Sequence, residues 1–309
     1  MRKFFKWLGI VILSLVLIIV ILAFVMVSKY KKMAKVTYEV NLAHVEILSD
    51  SASLARGADI VNSVCIACHG GDMGGMEFFN VPALGVVPAP NVTPGGRPKN
   101  YSDDDYVRSI RYGVKPDGHG LFVMPVENFN QMSDADLGSV IGYLKTLPAS
   151  DKTWPDAKFT LMAQIMAGAG LFGTLYNAEL LDLSDNKPKT APAPSTDPEY
   201  GKYTIRIHGC FSCHGENLNG NKTPDPDSPP GANITMNGNP GKWTYEQFVE
   251  TLQSGKTPEG KELDNKYMPW AELGQMSDLE LQAVYNYIKS IPGMDDDAYL
   301  AKYKEKNMK

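Results

Sequence analysis

Two short motifs, which between them use every cysteine of the chain, constrain its fold most strongly. The segments Cys65-Ile66-Ala67-Cys68-His69 and Cys210-Phe211-Ser212-Cys213-His214 share one spacing, and the 309 residues contain only these 4 cysteines. Two cysteines followed at once by histidine are typical of covalent haem c attachment, with the histidine as an axial iron ligand. A lone Cys-x-x-Cys would also suit a redox or zinc site, and four exported cysteines would also suit two disulfides. The repeated histidine favours two covalent haem c groups.

The two motifs begin two copies of one sequence pattern. The cysteines at 65 and 210 are 145 positions apart, and four later landmarks recur in the same order at offsets of 142 to 144. These landmarks are Asn91-Val92-Thr93 with Asn233-Ile234-Thr235, Val123-Met124-Pro125 with Tyr267-Met268-Pro269, Gln131-Met132-Ser133-Asp134 with Gln275-Met276-Ser277-Asp278, and Leu147-Pro148 with Ile291-Pro292. An unchanged order with small changes of offset indicates a duplicated domain with loop insertions.

Helix signals also repeat between the copies. Capping boxes at Ser102 and Thr244 predict helices that end near Tyr112 and Ser254, each before a glycine. A last helix should begin at the serine of each Met-Ser-Asp and stop at the proline that follows it. Its apolar residues have helical spacing, namely Leu137, Val140, Ile141 and Leu144 in one copy and Leu281, Val284, Tyr285 and Ile288 in the other. With two further helices from about Ser53 and Pro198 and little strand pattern, the predicted fold class is all-α.

Matching methionines offer the second axial ligand of each iron. Met124 lies 55 residues after His69, Met268 lies 54 residues after His214, and proline follows both. Methionine with histidine raises the potential of a haem. Met132 and Met276 also match, but each precedes a helix and is expected to pack in the core.

The remaining polar candidates are three histidines and two asparagines. His44, His119 and His208 have no counterpart in the other copy and are expected at the surface or in loops, with His119 as a minor alternative to methionine as ligand. Asn91 and Asn233 match the glycosylation acceptor pattern. Their repetition before the methionine loops favours hydrogen bonds to haem propionates instead.

The N-terminal segment predicts a membrane anchor. Residues 8–27 contain no charged residue. This segment is long enough to cross a bilayer as a helix and longer than the apolar part of most cleaved signal peptides. Lysines on both sides leave the orientation open by charge alone. Because haem c is attached outside the bacterial cytoplasmic membrane, residues 1–35 are predicted to be a cytoplasmic tail and anchor, with everything after Tyr30 external.

The rest of the chain divides into a first domain (residues 45–150), a linker (residues 151–197) and a second domain (residues 198–309). The linker holds an uncharged apolar run, residues 159–176, and then a proline-rich tether, residues 188–198, that should be extended and semi-rigid. The apolar run could pack between the domains, cover a haem, lie at the membrane surface or cross it again. We favour packing, because a second crossing would put the second haem in the cytoplasm.

These motifs resemble class I cytochrome c domains over about residues 50–150 and 198–293. More narrowly, they are similar to the cytochrome c subunits of membrane-bound alcohol and gluconate dehydrogenases, although those subunits have three haem motifs and this chain has two. The resemblance implies the axial pairs His69 with Met124 and His214 with Met268. It also implies that Asn91 and Asn233 lie near haem propionates.

One-electron transfer on the outer face of the cytoplasmic membrane is the expected function. Two six-coordinate irons would leave no open position for a substrate, so we expect an electron carrier without catalytic residues. The expected partners are membrane lipid at residues 8–27 and a redox donor and acceptor, as in a dehydrogenase, quinol-oxidising complex or terminal oxidase. The alternative is a di-haem peroxidase-type enzyme, which needs one displaceable ligand.

The distribution of charge limits the possible partners further. Residues 1–35 hold seven of the 30 Lys and Arg and none of the 35 Asp and Glu, which leaves a net charge of −12 on the remainder. An acidic surface argues against nucleic acid and suits either a basic partner or solubility alone.

Overall fold

The computed structural model describes residues 2–223 and 228–307, which are mainly helical. The helices are α1 (Arg2–Met33), α2 (Ser51–Ile60), α3 (Ile66–His69), α4 (Asp103–Tyr112), α5 (Val126–Phe129), α6 (Asp134–Thr146), α7 (Leu161–Gly168), α8 (Pro198–Ile207), α9 (Cys210–His214), α10 (Tyr245–Ser254), α11 (Trp270–Leu273), α12 (Asp278–Ser290) and α13 (Ala298–Asn307). The strands are β1 (Met76–Val81), β2 (Gly85–Ala89), β3 (Lys158–Phe159), β4 (Asn219–Asn221) and β5 (Gly231–Asn233). Strands β1, β2 and β3 form one antiparallel sheet, and β4 pairs with β5. The predicted all-α class is confirmed.

The predicted helix signals begin and end the helices as expected. The Ser102 side chain accepts the backbone N–H of Asp105, whose carboxylate accepts the N–H of Ser102, and Thr244 with Gln247 repeats this box. Gly113 and Gly255 end these helices in the left-handed conformation, with φ of 66° and 71°. The local sequence therefore fixes the ends of α4 and α10.

In each domain the helix that leads to the Cys-x-x-Cys-His motif crosses the helix that follows Met-Ser-Asp, and a glycine lies at the crossing. A Cβ atom on Gly57 of α2 would overlap the carbonyl oxygen of Ser139 in α6, and one on Gly201 of α8 would overlap that of Ala283 in α12. Only glycine allows backbones this close. The crossing buries the predicted apolar faces, including Leu137 and Ile141 in one domain and Leu281 and Val284 in the other.

The core of the first domain draws on chain outside residues 45–150. Ala43 is buried in it, and Leu42, Leu183 and Ala191 pack against it. The tether is tied down as well, because the Asp134 amide donates to the Lys189 carbonyl oxygen at 2.8 Å. The linker therefore runs along the first domain.

The apolar run lies beside α1, and our preference for packing between the domains is wrong. Its helix α7 contacts α1 and β3, and a Cβ atom on Gly168 would overlap the backbone of Met26 in α1. The Phe159 ring also lies edge-on to Tyr30, with ring centroids 6.0 Å apart. The physical reason is that α1 offers an unpaired apolar face, whereas the domain interface is filled by other groups.

A buried ionic and hydrogen-bonded network joins the two domains. The Arg56 guanidinium donates to both carboxylate oxygens of Asp136 at 2.9 and 3.1 Å and to Glu280 of the second domain at 2.6 Å. The Tyr203 hydroxyl donates to Asp136 at 2.6 Å and accepts the Ser133 amide at 3.0 Å. Both carboxylates bind the same guanidinium, so two buried anionic groups depend on one cation at this point.

Candidate haem-attachment sites

Each Cys-x-x-Cys-His motif folds as a short helix with its three reactive groups on one side. In the first domain the motif runs from Cys65, the end of a π-helical turn (Val61–Cys65), to His69, the end of α3. In the second domain Cys210 begins α9 and His214 ends it. Residues three and four positions apart lie on the same helical face. Two sulfurs and an imidazole are thereby directed to one side, as covalent and axial attachment of one haem requires.

Backbone carbonyls orient both motif histidines. Nδ1 of His69 lies 2.9 Å from the Pro90 carbonyl oxygen, and Nδ1 of His214 lies 2.7 Å from that of Ala232. A hydrogen on Nδ1 donates in each case, which leaves Nε2 free to bind a metal. Burial lowers the pKa of both imidazoles against the opposing effect of these hydrogen bonds. Neutral imidazole is the form that ligates iron.

The cysteine thiols lie where burial favours the protonated form. Burial raises the pKa of Cys65 and Cys210 to about 12 and, together with Glu272, that of Cys68 to about 11. No disulfide joins the 4 cysteines. Among the described residues no group of three or more His, Cys, Asp and Glu side chains is placed to hold a metal ion.

The prolines that follow Met124 and Met268 have nearly the same backbone angles, although the residues before the two methionines differ, because Val123 alone has a positive φ, of 66°. Pro125 has φ −79° and ψ 63°, Pro269 has φ −73° and ψ 62°, and each proline precedes a helix of one turn. Met124 packs against the core of the first domain and Met268 against that of the second. Met132 and Met276 are buried in the same cores, as predicted. Each copy therefore has one partly buried methionine, Met124 or Met268, and one methionine in the core, Met132 or Met276.

Asn91 and Asn233 hold loops together. Nδ2 of Asn91 donates to the carbonyl oxygens of Ser150 and Lys152, at 2.9 and 3.0 Å, and its Oδ1 accepts from the amide and hydroxyl of Thr93. Asn233 makes the equivalent bonds with Met294, Asp296 and Thr235. Both amide hydrogens therefore donate to oxygen atoms of the protein, and the contact with haem propionates stays a prediction.

One of the three remaining histidines has a different position from the one we expected. Nε2 of His208 lies 3.0 Å from the Ser63 hydroxyl of the other domain, and Nδ1 lies 2.8 Å from the Thr204 carbonyl oxygen. Burial lowers the pKa of His208. It is an interface residue, not a surface one. His119, as expected, lies in a loop, beside Asp117 at 3.2 Å.

Sequence reasoning missed that each motif touches the methionine loop of the other domain. The Asn128 amide in α5 exchanges hydrogen bonds of 3.3 Å with the Ser212 hydroxyl, between the two cysteines of the second motif. Reciprocally, α11 contacts the Val61–Cys65 turn. Asn128 and Ser212 are 84 positions apart, and no local pattern links them. Both Cys-x-x-Cys-His motifs therefore border the domain interface.

The chain contains two cytochrome c domains, each of which includes one haem motif and its methionine loop. Residues 52–144 match the family described as cytochrome c oxidase, cbb3-type, subunit III, and residues 199–292 match the cytochrome c family. Such domains carry covalent haem c, and the donor set above fits it. The chain is therefore a c-type cytochrome.

The particular relatives are subunits of dehydrogenases. The chain is 24% identical over 283 residues to the alcohol dehydrogenase (quinone) cytochrome c subunit of Gluconobacter oxydans strain 621H, with 80% of this chain covered. It is 27% identical over 179 residues to the gluconate 2-dehydrogenase cytochrome c subunit of Pantoea cypripedii, with 52% covered. The chain spans 56% and 36% of these relatives. Its predicted resemblance to such cytochrome c subunits is confirmed.

Proposed function

We propose that this protein is a membrane-anchored cytochrome with two covalent haem c groups that transfers single electrons on the outer face of the cytoplasmic membrane. The observation that carries the proposal is the duplicated arrangement of a Cys-x-x-Cys-His helix, a carbonyl-oriented histidine and a Met-Pro loop. When bound, the haem supplies an iron that accepts and releases one electron. The proposed domains are residues 45–150 and 198–309.

The protein would hold the two groups by equivalent residues. Cys65 and Cys68 would form thioethers to the first haem, with His69 and Met124 as axial ligands. In the second domain the cysteines are Cys210 and Cys213, and the axial ligands are His214 and Met268. Carbonyl-bound Nδ1 atoms keep the imidazoles in one orientation, which limits rearrangement when an electron arrives. Two methionine–histidine pairs would favour high potentials.

The contacts between the domains support electron transfer from one haem to the other. Asn128 of the first methionine loop touches the second motif, and α11 touches the turn that carries Cys65. Arg56, Asp136 and Glu280 hold this interface in one arrangement. A fixed interface keeps the distance between the two groups constant, which a relay requires.

Retention of α1 as an anchor has support from its composition and its packing. It is the one helix in residues 2–223 and 228–307 that is long and apolar enough to cross a membrane. Its last turns pack against α7, as a folded part of the protein would. With haem attached outside the cytoplasm, a single pass puts both domains on the periplasmic side.

We propose a dehydrogenase as the donor complex, on the strength of the relatives' names. A quinol-oxidising complex or a terminal oxidase would also suit the net charge of −12 outside residues 1–35, which favours a basic docking face. Extraction in mild detergent followed by identification of copurifying proteins tests this part. A monodisperse monomer without a partner would contradict it.

A redox titration of the full chain tests the axial ligands. In Met124→His and Met268→His we expect the potential of one haem to fall and that of the other to stay, because imidazole favours ferric iron more than a thioether does. Met132→Leu and Met276→Leu are the matched controls and should leave both potentials in place. Unchanged potentials in the histidine variants, or a high-spin oxidised spectrum of the natural protein, would contradict the proposal.

A further inference from the structure

An apolar surface without charges lies beside the outer end of α1. We name it the apolar foot and define it as α7 with the turn at residues 169–173. Four of its side chains point to solvent, with exposed fractions of 65% for Leu161, 57% for Met162, 69% for Leu171 and 38% for Phe172. No charged residue occurs from position 159 to position 178. Large exposed apolar side chains in a segment without charges indicate an interaction site.

The opposite face of α7 is made of small residues. Ala163, Ala167 and Gly168 are buried, and the absence of a side chain on Gly168 lets the helix approach the backbone of Met26. On α1 the half-buried residues at this end recur at helical spacing and are Ala23, Met26, Val27 and Tyr30. Small residues on one face are typical of helices that pack closely within membranes. The packed face thus leaves the large apolar side chains pointing outward.

The contacts along α1 fix how deep the apolar foot would lie. Met26 belongs to the last turn of the uncharged stretch 8–27, whereas Tyr30, beside Phe159, lies just outside it. These two residues are about 6 Å apart along the helix axis. The foot therefore descends from the level of Tyr30 to the last apolar turn, where a membrane-spanning α1 would pass from headgroups to acyl chains. Lys29, Lys31 and Lys32 at the same end suit anionic headgroups.

We propose that the apolar foot inserts into the outer boundary of the bilayer, with Leu161, Met162, Leu171 and Phe172 in contact with acyl chains. This inference rests on the proposed anchoring by α1. Its occupant is lipid, because the exposed surface is continuous with the only helix of the described residues that could span a membrane. Two attachment points prevent rotation about α1, so the protein has one orientation on the membrane.

That orientation would hold the methionine loop of the first domain close to the membrane. The Phe122 ring, two residues before Met124, lies 5.0 Å from the ring of Phe159 and 6.3 Å from that of Tyr176, which flank the foot. The adjacent strand β3 pairs with β2 of the first domain. The first haem site is thus the one nearer a membrane-bound donor.

Lipid photolabelling of the haem-loaded full chain tests the foot. The protein is reconstituted in phosphatidylethanolamine–phosphatidylglycerol vesicles containing a phospholipid with a diazirine in its acyl chain, and the adducts are mapped by mass spectrometry. We expect adducts in residues 8–27 and 161–173 and none in α10. Adducts confined to residues 8–27 would overturn the foot alone. No adducts in residues 8–27 would overturn the anchoring proposal as well.

A pair of variants shows which side chains make the contact. In the double variant Leu171→Glu with Phe172→Glu, labelling of residues 161–173 should fall at least fivefold, since carboxylates do not enter the acyl region. The matched control is Leu180→Glu, an exposed apolar residue outside the foot, which should leave the labelling unchanged. The visible spectrum and the labelling of residues 8–27 report folding and anchoring. Undiminished labelling of the double variant would overturn the proposal.

Discussion

The two domains hold their haem motifs by the same parts but join the rest of the molecule by different ones. In both domains two helices cross at a glycine, a backbone carbonyl orients the histidine, and an asparagine holds two loops together. Their methionine loops also have matching proline angles. The first domain alone carries the sheet of β1, β2 and β3 and, next to it, α7 packed on α1. The parts near the cofactor are thus the same, and those that face neighbours differ.

The approach to the cysteines shows the same contrast at the scale of one residue. Eight positions separate Gly57 from Cys65, whereas nine separate Gly201 from Cys210. The first domain reaches its motif through a π-helical turn, and the second breaks its helix at Gly209, which has φ 72°. This extra residue explains why the glycines are offset by 144 positions and the motifs by 145, whereas the smaller offsets of the later landmarks arise in the loops that follow the motifs. His208 in the longer connection meets Ser63 across the interface.

The largest expected effect comes from removing one pair of cysteines. In Cys65→Ala with Cys68→Ala, or Cys210→Ala with Cys213→Ala, covalent haem should fall from two groups to one per chain, because each motif holds its own. The pyridine haemochrome assay and the intact mass measure this. Ser212→Ala is the control within a motif and should retain both. A pair variant that keeps two covalent haems would contradict the assignment.

Next in size is the loss of the arginine that the domains share. Arg56→Met leaves the carboxylates of Asp136 and Glu280 without their cation at the interface, at a cost of about 3–5 kcal/mol in the free energy of unfolding. Guanidinium unfolding of the full chain measures the change. Lys152→Met, which breaks an exposed ion pair with Asp72, should change stability by less than about 0.5 kcal/mol.

The loss of stability in Arg56→Met should depend on pH, and its direction follows from the pKa of Glu280. Burial would raise the pKa of Glu280, but Arg56 and His208 overcome this and lower it. A lowered carboxylate pKa contributes stability at neutral pH that is lost as the pH falls through the folded-state value. Arg56→Met lacks that contribution, so its deficit should shrink on acidification. A deficit that grows at low pH would show that the carboxylates are not the groups affected.

A smaller effect is expected at the glycine crossings. Gly57→Ala and Gly201→Ala would each force a helix pair apart, at a cost of about 2–3 kcal/mol. Chemical unfolding measures the loss of stability, and similar losses in the two variants would confirm that the crossings are equivalent. Gly71→Ala is the control, since a Cβ atom there meets nothing within 4 Å. A loss in one variant alone would show that the two domains pack differently.

The smallest effect separates the clamp role of the asparagines from a role at the haem. Asn91→Leu and Asn233→Leu each remove four hydrogen bonds, two of which join distant loops, and this should cost about 1–2 kcal/mol. Both haem potentials should stay in place, because both amide hydrogens donate to protein oxygens. A shift in the potential of one haem, measured by spectroelectrochemistry, would instead support the predicted contact with propionates.

Local patterns predicted the helices of both domains. The positions that depend on residues far apart in the sequence could not be predicted from such patterns. The caps at Ser102 and Thr244 and the apolar face of Leu137 and Ile141 follow from spacings of three or four residues, which one helix satisfies by itself. The position of His208 does not, because Ser63 lies 145 positions away. The bonds of Asn91 were missed for the same reason, as their acceptors lie about 60 positions further on.

The sequence by itself determined the reactive groups: cysteine thiols and imidazoles at fixed spacing, their duplication, the methionine loops and an apolar stretch long enough to span a bilayer. Such properties depend on residue types and on distances along the chain, and a helical turn converts these directly into positions in space. Only the tertiary structure decided that each motif faces the other domain, that Arg56 serves both and that α7 lies on α1. Those contacts depend on which apolar and charged surfaces remain unpaired after each domain has folded, and that is a property of the whole molecule.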